Sequence, residues 1–461
     1  EFRKWNGNFN DVVFRFDDGK EIRELRCDNG KQKARPQNMQ YYFMNGLTWS
    51  ALTTKQLSLR KAPEGTIISG AGYGLFNLGR KENYFLALLN SNVINYLAQI
   101  LSQTLNFEVG ILQRLPILIA EEKAKDIETA TINNIQASKL DWDQYETSWD
   151  FKENPLQTVI KNILLNAISS LKNKYKDISI EFNKEKPTQG EGICITINRD
   201  KIYIHCFDMN ITEEITKCLT NILETKNINF QRVNTYPLEE EKLPIGYTLK
   251  EIELKKLNIE KLYEVYKNEV NNRFEYLKKN EEELNKIFIE IYGLQDELTP
   301  DVADKDITVA RIYDKKEDIP EEMKNNIYVR TKQDVVKDLI SYIVGWAFGR
   351  DSPYKEGLIF AGGDFNWDNY FNLLQNPDVS IIKNIKTVKN SFLPNDENCI
   401  VNTDNDYVEF SLVDRVVEFI SVIFGQSNLE ENLRFIANTL DEKSNDTPRN
   451  VIREYLANDF F

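Results

Sequence analysis

Gly192-Ile193-Cys194-Ile195-Thr196-Ile197 and, after a short gap, Lys201-Ile202-Tyr203-Ile204-His205-Cys206-Phe207 alternate apolar with small or polar side chains, the period-two pattern of half-buried strands. A further strand pattern precedes them at Ile178 to Phe182, a helical one follows from Ile211 to Thr225, and a last strand reads at Asn227 to Val233. This small α+β module is set between helices. Pro155 behind Asn154 opens one that runs to about Tyr175, with proline at the first helical position. Residues 256–292 place Leu262, Val265, Tyr266, Val270, Phe274 and Leu277 on one side and many Glu and Lys on the other, which predicts a long, partly exposed helix or a helical hairpin. Helical patterns return at Lys332 to Phe348, Val413 to Phe424, Leu429 to Leu440 and Pro448 to Leu456. The fold class is therefore α+β, with a mostly α-helical C-terminal third.

Towards the N-terminus the pattern changes. Short β-type runs at Asp11 to Phe16, Tyr41 to Phe43 and Gly65 to Ser69 alternate with turn residues such as Asp18-Gly19 and Asn29-Gly30. From Glu82 to Gln103, Phe85, Leu88, Leu89, Val93, Tyr96, Leu97 and Ile100 recur at helical spacing and predict one amphipathic helix. A strand or loop over Leu112 to Ile119 closes this β-rich part. Glu121 to Glu153 is polar and acidic with aromatic anchors at Trp142, Tyr145, Trp149 and Phe151, the composition of a connector strapped to a surface. Four segments are expected: a β-rich domain at 1–120, a connector at 121–155, a helical spacer at 156–330 carrying the α+β insertion near 178–236, and an α-rich C-terminal domain at 331–461.

Composition bounds the function. The chain has 461 residues, 41% of them hydrophobic, enough for several cores. No apolar run approaches the roughly 20 residues of a membrane span, and no signal-peptide pattern opens the chain, so a soluble cytoplasmic protein without membrane contact is expected. It begins without Met, on Glu1-Phe2-Arg3-Lys4-Trp5, which reads as the interior of a folded segment and implies an upstream portion. Five cysteines with no C-x-x-C pair fit reduced thiols and no structural zinc. The net charge is −14, unevenly spread: residues 1–120 hold 15 Lys and Arg against 10 Asp and Glu, a net of +5, which leaves −19 for the remainder. If nucleic acid is bound, the N-terminal quarter is the place.

Catalytic chemistry is not found. Gly70-Ala71-Gly72-Tyr73-Gly74 has glycines spaced for close backbone approach to a ligand, but no helix starts behind it and no acidic residue closes a following strand, so a mobile glycine loop against a phosphate backbone is the preferred reading. His205, the only histidine, neighbours Cys206, with Cys194 and Cys218 each 12 residues away; alternation and helix-face spacing make these core residues rather than metal ligands. Pro300-Asp301 and Pro377-Asp378 lack the second carboxylate set of a metal-dependent nuclease. Glu239-Glu240-Glu241 and Glu281-Glu282-Glu283 read as solvated faces. No catalytic, cofactor-binding or metal-binding residue is assigned. The informative stretch is basic and aromatic: Lys31, Lys33, Arg35, Gln37, Asn38, Tyr41, Tyr42, Trp49, Ser50, Thr53, Thr54, Lys55 and Arg60. Lys and Arg neutralise phosphates, and Arg, Gln and Asn make paired hydrogen bonds to base edges; the same pattern also suits a half-buried sheet with a charged rim.

Arg35-Pro36-Gln37-Asn38, Tyr41-Tyr42-Phe43, Gly46-Leu47-Thr48-Trp49-Ser50, Leu89-Asn90-Ser91, Thr104-Leu105-Asn106-Phe107-Glu108-Val109-Gly110 and Leu115-Pro116-Ile117 resemble the target-recognition region of the PglX family, the adenine-specific DNA methyltransferases of bacterial BREX phage-defence systems. The resemblance continues through Ser148-Trp149-Asp150-Phe151, Asn280-Glu281-Glu282-Glu283-Leu284-Asn285, Ile291 to Leu298, Phe348-Gly349-Arg350, Glu356-Gly357-Leu358, Ala361-Gly362-Gly363, Leu429-Glu430-Glu431-Asn432-Leu433 and Asp459-Phe460-Phe461. It implies a C-terminal part that selects a short site in duplex DNA, while a preceding half, which in the family carries the S-adenosylmethionine site and an Asn-Pro-Pro-Tyr motif, methylates adenine N6. Neither that motif nor its Asp-Pro-Pro-Tyr variant occurs here, and the module near 170–250 has no counterpart in the resemblance. Under it, Lys31, Lys33, Arg35 and Lys55 are the expected phosphate or base contacts, and Gln37, Asn38, Tyr41 and Ser50 the expected base readers. The partners it implies are double-stranded DNA, other BREX subunits or a phage DNA-mimic inhibitor. The alternative reading is an acidic protein-interaction scaffold that docks other defence subunits without touching DNA.

Overall fold

In the computed structural model, which describes residues 3–7, 20, 24–31, 33, 37–53, 56–68, 70–101, 106–172, 174–175, 178–182, 193–198, 201–206, 209–226, 228, 230–233, 248–254, 258–352, 356–360, 366, 370, 400 and 411–460, the elements run as follows. Strands β1 (Gly46–Ser50), β2 (Leu59–Ala62) and β3 (Gly72–Phe76) precede helices α1 (Glu82–Leu89), α2 (Asn92–Leu101), α3 (Val109–Leu112), α4 (Ala124–Trp142) and α5 (Pro155–Lys172). Strands β4 (Ile178–Phe182), β5 (Ile193–Asn198) and β6 (Lys201–Cys206), helix α6 (Met209–Thr225), and strands β7 (Phe230–Val233) and β8 (Thr248–Leu254) come next. Helix α7 (Ile259–Tyr292), strands β9 (Arg311–Tyr313) and β10 (Val329–Thr331), and helices α8 (Lys332–Ala347), α9 (Leu412–Phe424), α10 (Leu429–Leu440) and α11 (Pro448–Asn458) complete the order. The chain is α+β with a mostly helical C-terminal region. It divides into two compact units, each built from two stretches: Glu1–Phe151 with Glu269–Thr331, and Lys152–Asn268 with Lys332–Phe461. The sequence reading divides it differently, into four consecutive segments; α7 begins in the second unit and, over its about 51 Å, ends in the first.

In the first unit β1 pairs antiparallel with both neighbours, in the order β2-β1-β3, with Trp49 opposite Leu59 on one side and Tyr73 on the other. Leu47, Trp49 and Leu59 are buried with Leu86, Leu88, Val93 and Ile94 of the helices and with Phe274, Leu277, Leu284 and Phe288 of α7. A strap of residues 3–7 closes this core. Trp5 N donates to Leu59 O and Lys61 N to Trp5 O, both at 3.0 Å. Lys4 Nζ and Trp5 Nε1 each donate to Glu281 at 2.7 Å, and Arg3 Nη2 donates to Asp141 at 3.3 Å, all five side chains being buried. Glu281 is thus a buried ion-pair partner rather than part of a solvated face, because Lys4 brings a charge into the core that only a carboxylate can balance.

Several local expectations change. Tyr41 to Phe43 is not a strand but the end of a 3-10 turn (Met39–Tyr41), because Asn38 (φ 54) and Phe43 (φ 67) are left-handed. Gly65 (φ +90) turns the chain where a strand was expected, and the strand comes later, as β3. Asp11 to Phe16 and Ala361-Gly362-Gly363 lie outside the described residues. The one helix over 82–103 is two, α1 and α2, parted at Asn90, whose amide accepts from Leu59 N (2.8 Å) and donates to Leu59 O (2.9 Å). The polar stretch read as a connector contains α4, whose buried positions are Ile127, Thr131, Asn134, Ala137, Ser138 and Asp141.

In the second unit, β4 to β6 and α6 follow the sequence pattern closely, and β8 completes a five-stranded sheet ordered β4-β5-β6-β8-β7. Ile195 faces Ile204, and Ile202 faces Ile252, on a face with buried Ile215, Leu219 and Leu223 of α6. Helix α8 stops at Gly349 (φ +77), after which Arg350 folds back: its N donates to Gly345 O at 2.8 Å and its Nη2 to Ser341 O at 3.3 Å. The guanidinium fills the space where a Cβ on Gly345 would lie. Trp346 and Phe419 meet edge to face at 4.6 Å. Helix α9 starts with a capping box from Ser411 and Asp414, and α11 with Thr447 before Pro448.

Candidate nucleic-acid interface

All the sequence-expected contact residues fall in the first unit. Asp28-Asn29-Gly30 forms a tight turn in which Gly30 N donates to Cys27 O (2.8 Å) and Gly30 adopts φ +77. Cys27 N donates to Lys31 O (2.8 Å) and Lys33 N to Leu25 O (3.0 Å), so the chain returns as a small hairpin. Lys31 and Lys33, two residues apart on the returning arm, are exposed, and neither has an ion-pair partner among the described residues. Arg3, Lys4 and Lys61 differ: Arg3 and Lys4 are consumed inside the core and Lys61 pairs with Glu82.

The second piece is the turn over residues 37–45. Phe43 N donates to Thr66 O and Gly65 N to Phe43 O, each at 3.0 Å, which clamps the turn to the β2–β3 connection. Tyr41 lies parallel to Phe76, ring centroids 5.0 Å apart and planes 8° apart. Met39, Tyr41, Phe43 and Ile67 are each 36–37% exposed, and Gln37, Asn38, Gln40 and Asn45 are exposed between them. A bulky residue held at positive φ costs on the order of 1 kcal/mol or more. Phe43 is such a residue; Asn38 and Asn77 (φ 62), at the same end of the sheet, are of a type that tolerates the left-handed region.

Gln37, Asn38 and Tyr41 therefore share one surface feature. Four residue steps separate Lys33 from Gln37, so their Cα atoms are at most about 14 Å apart. Ser50 is not part of this group. It is half-buried at the other end of β1, about 13 Å along the strand from Gly46. Trp49 is buried and its indole donates to Phe107 O at 2.7 Å, a structural role. Arg35 and Lys55 lie outside the described residues. Sequence reasoning did not single out Met39, Phe43 or Phe76; the available signal was the aromatic run just before Gly46.

Gly70 to Gly74 is no open loop. Its last three residues begin β3, where a Cβ on Gly72 would press on Ile68 and the Trp49 carbonyl, and one on Gly74 would lie 2.6 Å from the Phe76 ring. Gly72 and Gly74 serve close packing of the strand. Among the described residues no group of three or more His, Cys, Asp or Glu is arranged to hold a metal, and no helix is long and apolar enough to cross a membrane. Cys194 is buried in β5, opposite His205 in the strand register. Burial raises the Cys218 thiol pKa.

Most stretches that carry the family resemblance are occupied internally. Asn90 clamps Leu59, Asn285 binds Asn92 N (2.9 Å) and Pro300 O (3.1 Å), and Asn432 accepts from Ile259 N (2.8 Å). Two tyrosine hydroxyls bracket the extended segment after Leu115: Tyr292 binds Pro116 O and Leu118 N, and Tyr84 binds Leu118 O and Ala120 N. The turn at Tyr41-Tyr42-Phe43, by contrast, stands at the surface.

No family model matches the chain. Over 464 residues, all of this chain, it is 28% identical to the adenine-specific methyltransferase PglX of Lacticaseibacillus casei (strain Zhang), covering 28% of that protein. Over 469 residues it is 25% identical to the adenine-specific methyltransferase BrxX of Escherichia coli O9:H4 (strain HS), covering 29% of it. The chain spans less than a third of the length of these curated relatives. Along its whole length it is thus a PglX-like sequence, similar to a little over a quarter of an adenine-specific methyltransferase.

Proposed function

We propose that this chain is the C-terminal, target-recognition part of a site-specific adenine-N6 DNA methyltransferase of a BREX phage-defence system. It positions duplex DNA for a catalytic part, outside this chain, that binds S-adenosylmethionine. The observation that carries the reading is the pair of exposed lysines, Lys31 and Lys33, beside the amide- and aromatic-bearing turn, whereas Arg3, Lys4 and Lys61 of the same unit are neutralised internally. Phosphate neutralisation by such lysines supplies affinity, and Gln37, Asn38 and Tyr41 supply contacts to bases. The same surface suits a DNA-mimic inhibitor, which presents acidic groups in place of phosphates. Other BREX subunits would dock on the acidic remainder, whose net charge is −19.

The test is fluorescence anisotropy of the whole chain against a mixed-sequence duplex at two salt concentrations. Binding should weaken steeply with salt, and joint Ala substitution of Lys31 and Lys33 should reduce the slope of log K against log salt by about 1.8. An unchanged slope removes the lysines from the interface. Absence of binding to any duplex favours the second reading, the acidic scaffold.

A further inference from the structure

We propose that the extended segment 116–120 is an open sheet edge at which a second copy of this chain pairs, antiparallel and around a two-fold axis at Leu118. The inference uses none of the residues assigned to DNA above.

The backbone establishes the edge. The Tyr292 hydroxyl donates to Pro116 O (2.7 Å) and accepts from Leu118 N (3.1 Å). The Tyr84 hydroxyl donates to Leu118 O (3.1 Å) and accepts from Ala120 N (3.1 Å). A carbonyl and the N–H two residues later, both reached by one group, is the spacing of a β-strand beside its neighbour. Two tyrosines thus stand where a partner strand would, and they serve residues 116, 118 and 120. Tyr84 is itself buried, its ring edge to face with Phe288 at 5.7 Å, so the bracket is held in place. In an extended chain the N–H and C=O of the intervening residues point the opposite way. Accordingly the backbone groups of Ile117 and Ile119 make no hydrogen bond among the described residues.

Exposed edges are ordinarily blunted by lysine, or by a proline that removes an outward donor. Pro116 removes an inward one, on the tyrosine side, and no charged residue lies between Leu115 and Ala120. The open edge carries instead three consecutive apolar side chains, Ile117, Leu118 and Ile119, which are 36%, 45% and 40% exposed.

The occupant follows from the register. Pairing around Leu118 sets Ile117 of each copy opposite Ile119 of the other, so every such pair exchanges both of its hydrogen bonds and no open group is left over. Leu118 then meets Leu118 as the closer, non-hydrogen-bonded pair, side chain against side chain. The same register sets Arg114 of each copy opposite Glu122 of the other. Both residues are exposed, and neither has an ion-pair partner among the described residues. Sliding the strands by two residues in either direction sets Arg114 opposite Ala120 or Ala124 and carries an isoleucine past the end of the extended segment. Hydrogen bonding and charge therefore select one register, and they select it for a strand of this same sequence.

The experiment is sedimentation velocity of the whole chain over a concentration series. A short strand pair is a small interface, so a weak, reversible dimer is expected. Ile119→Pro removes the outward N–H, which the chain itself does not use, and suits an extended backbone; it should weaken dimerisation by about tenfold or more. Unchanged hydrogen exchange in α1 checks that the unit still folds. Arg114→Glu and Glu122→Arg each set like charges opposite one another at both ends of the pair, and each variant alone should be monomeric. Mixed in equal amounts, the two variants present opposite charges at both ends, and a dimer of one with the other should return. A parent chain that stays monomeric at every concentration overturns the proposal and leaves the edge to an extended segment of a different protein. A dimer that survives Ile119→Pro, or that the mixture fails to restore, also overturns it, because the contact then lies elsewhere on the chain.

Discussion

Replacing Lys4 by Met leaves Glu281 as a buried carboxylate that accepts from the Trp5 indole, 2.7 Å away, with no ammonium beside it. Both charged side chains are at most 5% exposed, so water cannot substitute for the lost ammonium. Breaking such a pair from one side costs about 3–5 kcal/mol, because an uncompensated charge stays in the core. Glu281→Gln keeps an acceptor for the indole but strands Lys4 in the same way, at a similar cost. The double variant removes both charges and keeps shape and indole bond, so it should cost about 2 kcal/mol or less. The singles then sum to several kcal/mol more than the double. Because the chain holds two compact units, a single global unfolding curve is ill defined. Hydrogen exchange followed by mass spectrometry on peptides from α1 and from residues 274–288 of α7 isolates the first unit. Additivity of the three variants to within about 0.5 kcal/mol would refute the coupling and with it the role of the strap.

Asn90→Ala should destabilise the same unit by about 1–2 kcal/mol, since it strands the N–H of buried Leu59, whose carbonyl keeps its bond from Trp5 N; exchange in β2 is the measurement, and unchanged protection there refutes the clamp. In the second unit, burial raises the pKa of Asp351 although Arg350 pulls it the other way. Folding then favours the protonated acid, so this group's contribution declines as pH rises from the ordinary Asp range through the raised value. Asp351→Asn should flatten that dependence, read as the difference in exchange of α8 between about pH 4 and about pH 7; an identical dependence in both proteins would exclude Asp351 as its source.

Legibility in the sequence followed the kind of interaction that makes each element. Strands β4, β5 and β6 bury one face in apolar side chains, and alternation reads them almost residue by residue. Pro155 and Pro448 mark the starts of α5 and α11 because proline there loses no hydrogen bond. Helix α4 escaped because its buried face, besides Ile127 and Ala137, is Thr131, Asn134, Ser138 and Asp141, which a search for apolar periodicity scores as solvent. The sheet at 46–76 escaped for a different reason: β-prone Tyr41-Tyr42-Phe43 is turned by two left-handed residues, while glycine-rich 72–76 pairs as a strand. Of the candidate interface, the electrostatic half was visible in Lys31 and Lys33. The separation of Ser50 from Tyr41 was not, since a sequence gives their spacing but not which end of β1 each occupies.

The strap at residues 3–7 also carries a consequence for how the chain is made. Its partners are far downstream: Asp141 lies 138 residues after Arg3, Glu281 277 after Lys4, and Thr308, whose hydroxyl accepts from Lys4 N, 304 after it. At about 5–20 residues per second, roughly 15 to 60 s of synthesis pass before Lys4 can meet Glu281. During that interval all of residues 152–268 emerge. The first unit, begun earliest, therefore stays open while the first stretch of the second is made, and its basic, aromatic opening segment waits on the ribosome for a carboxylate that has not yet been translated.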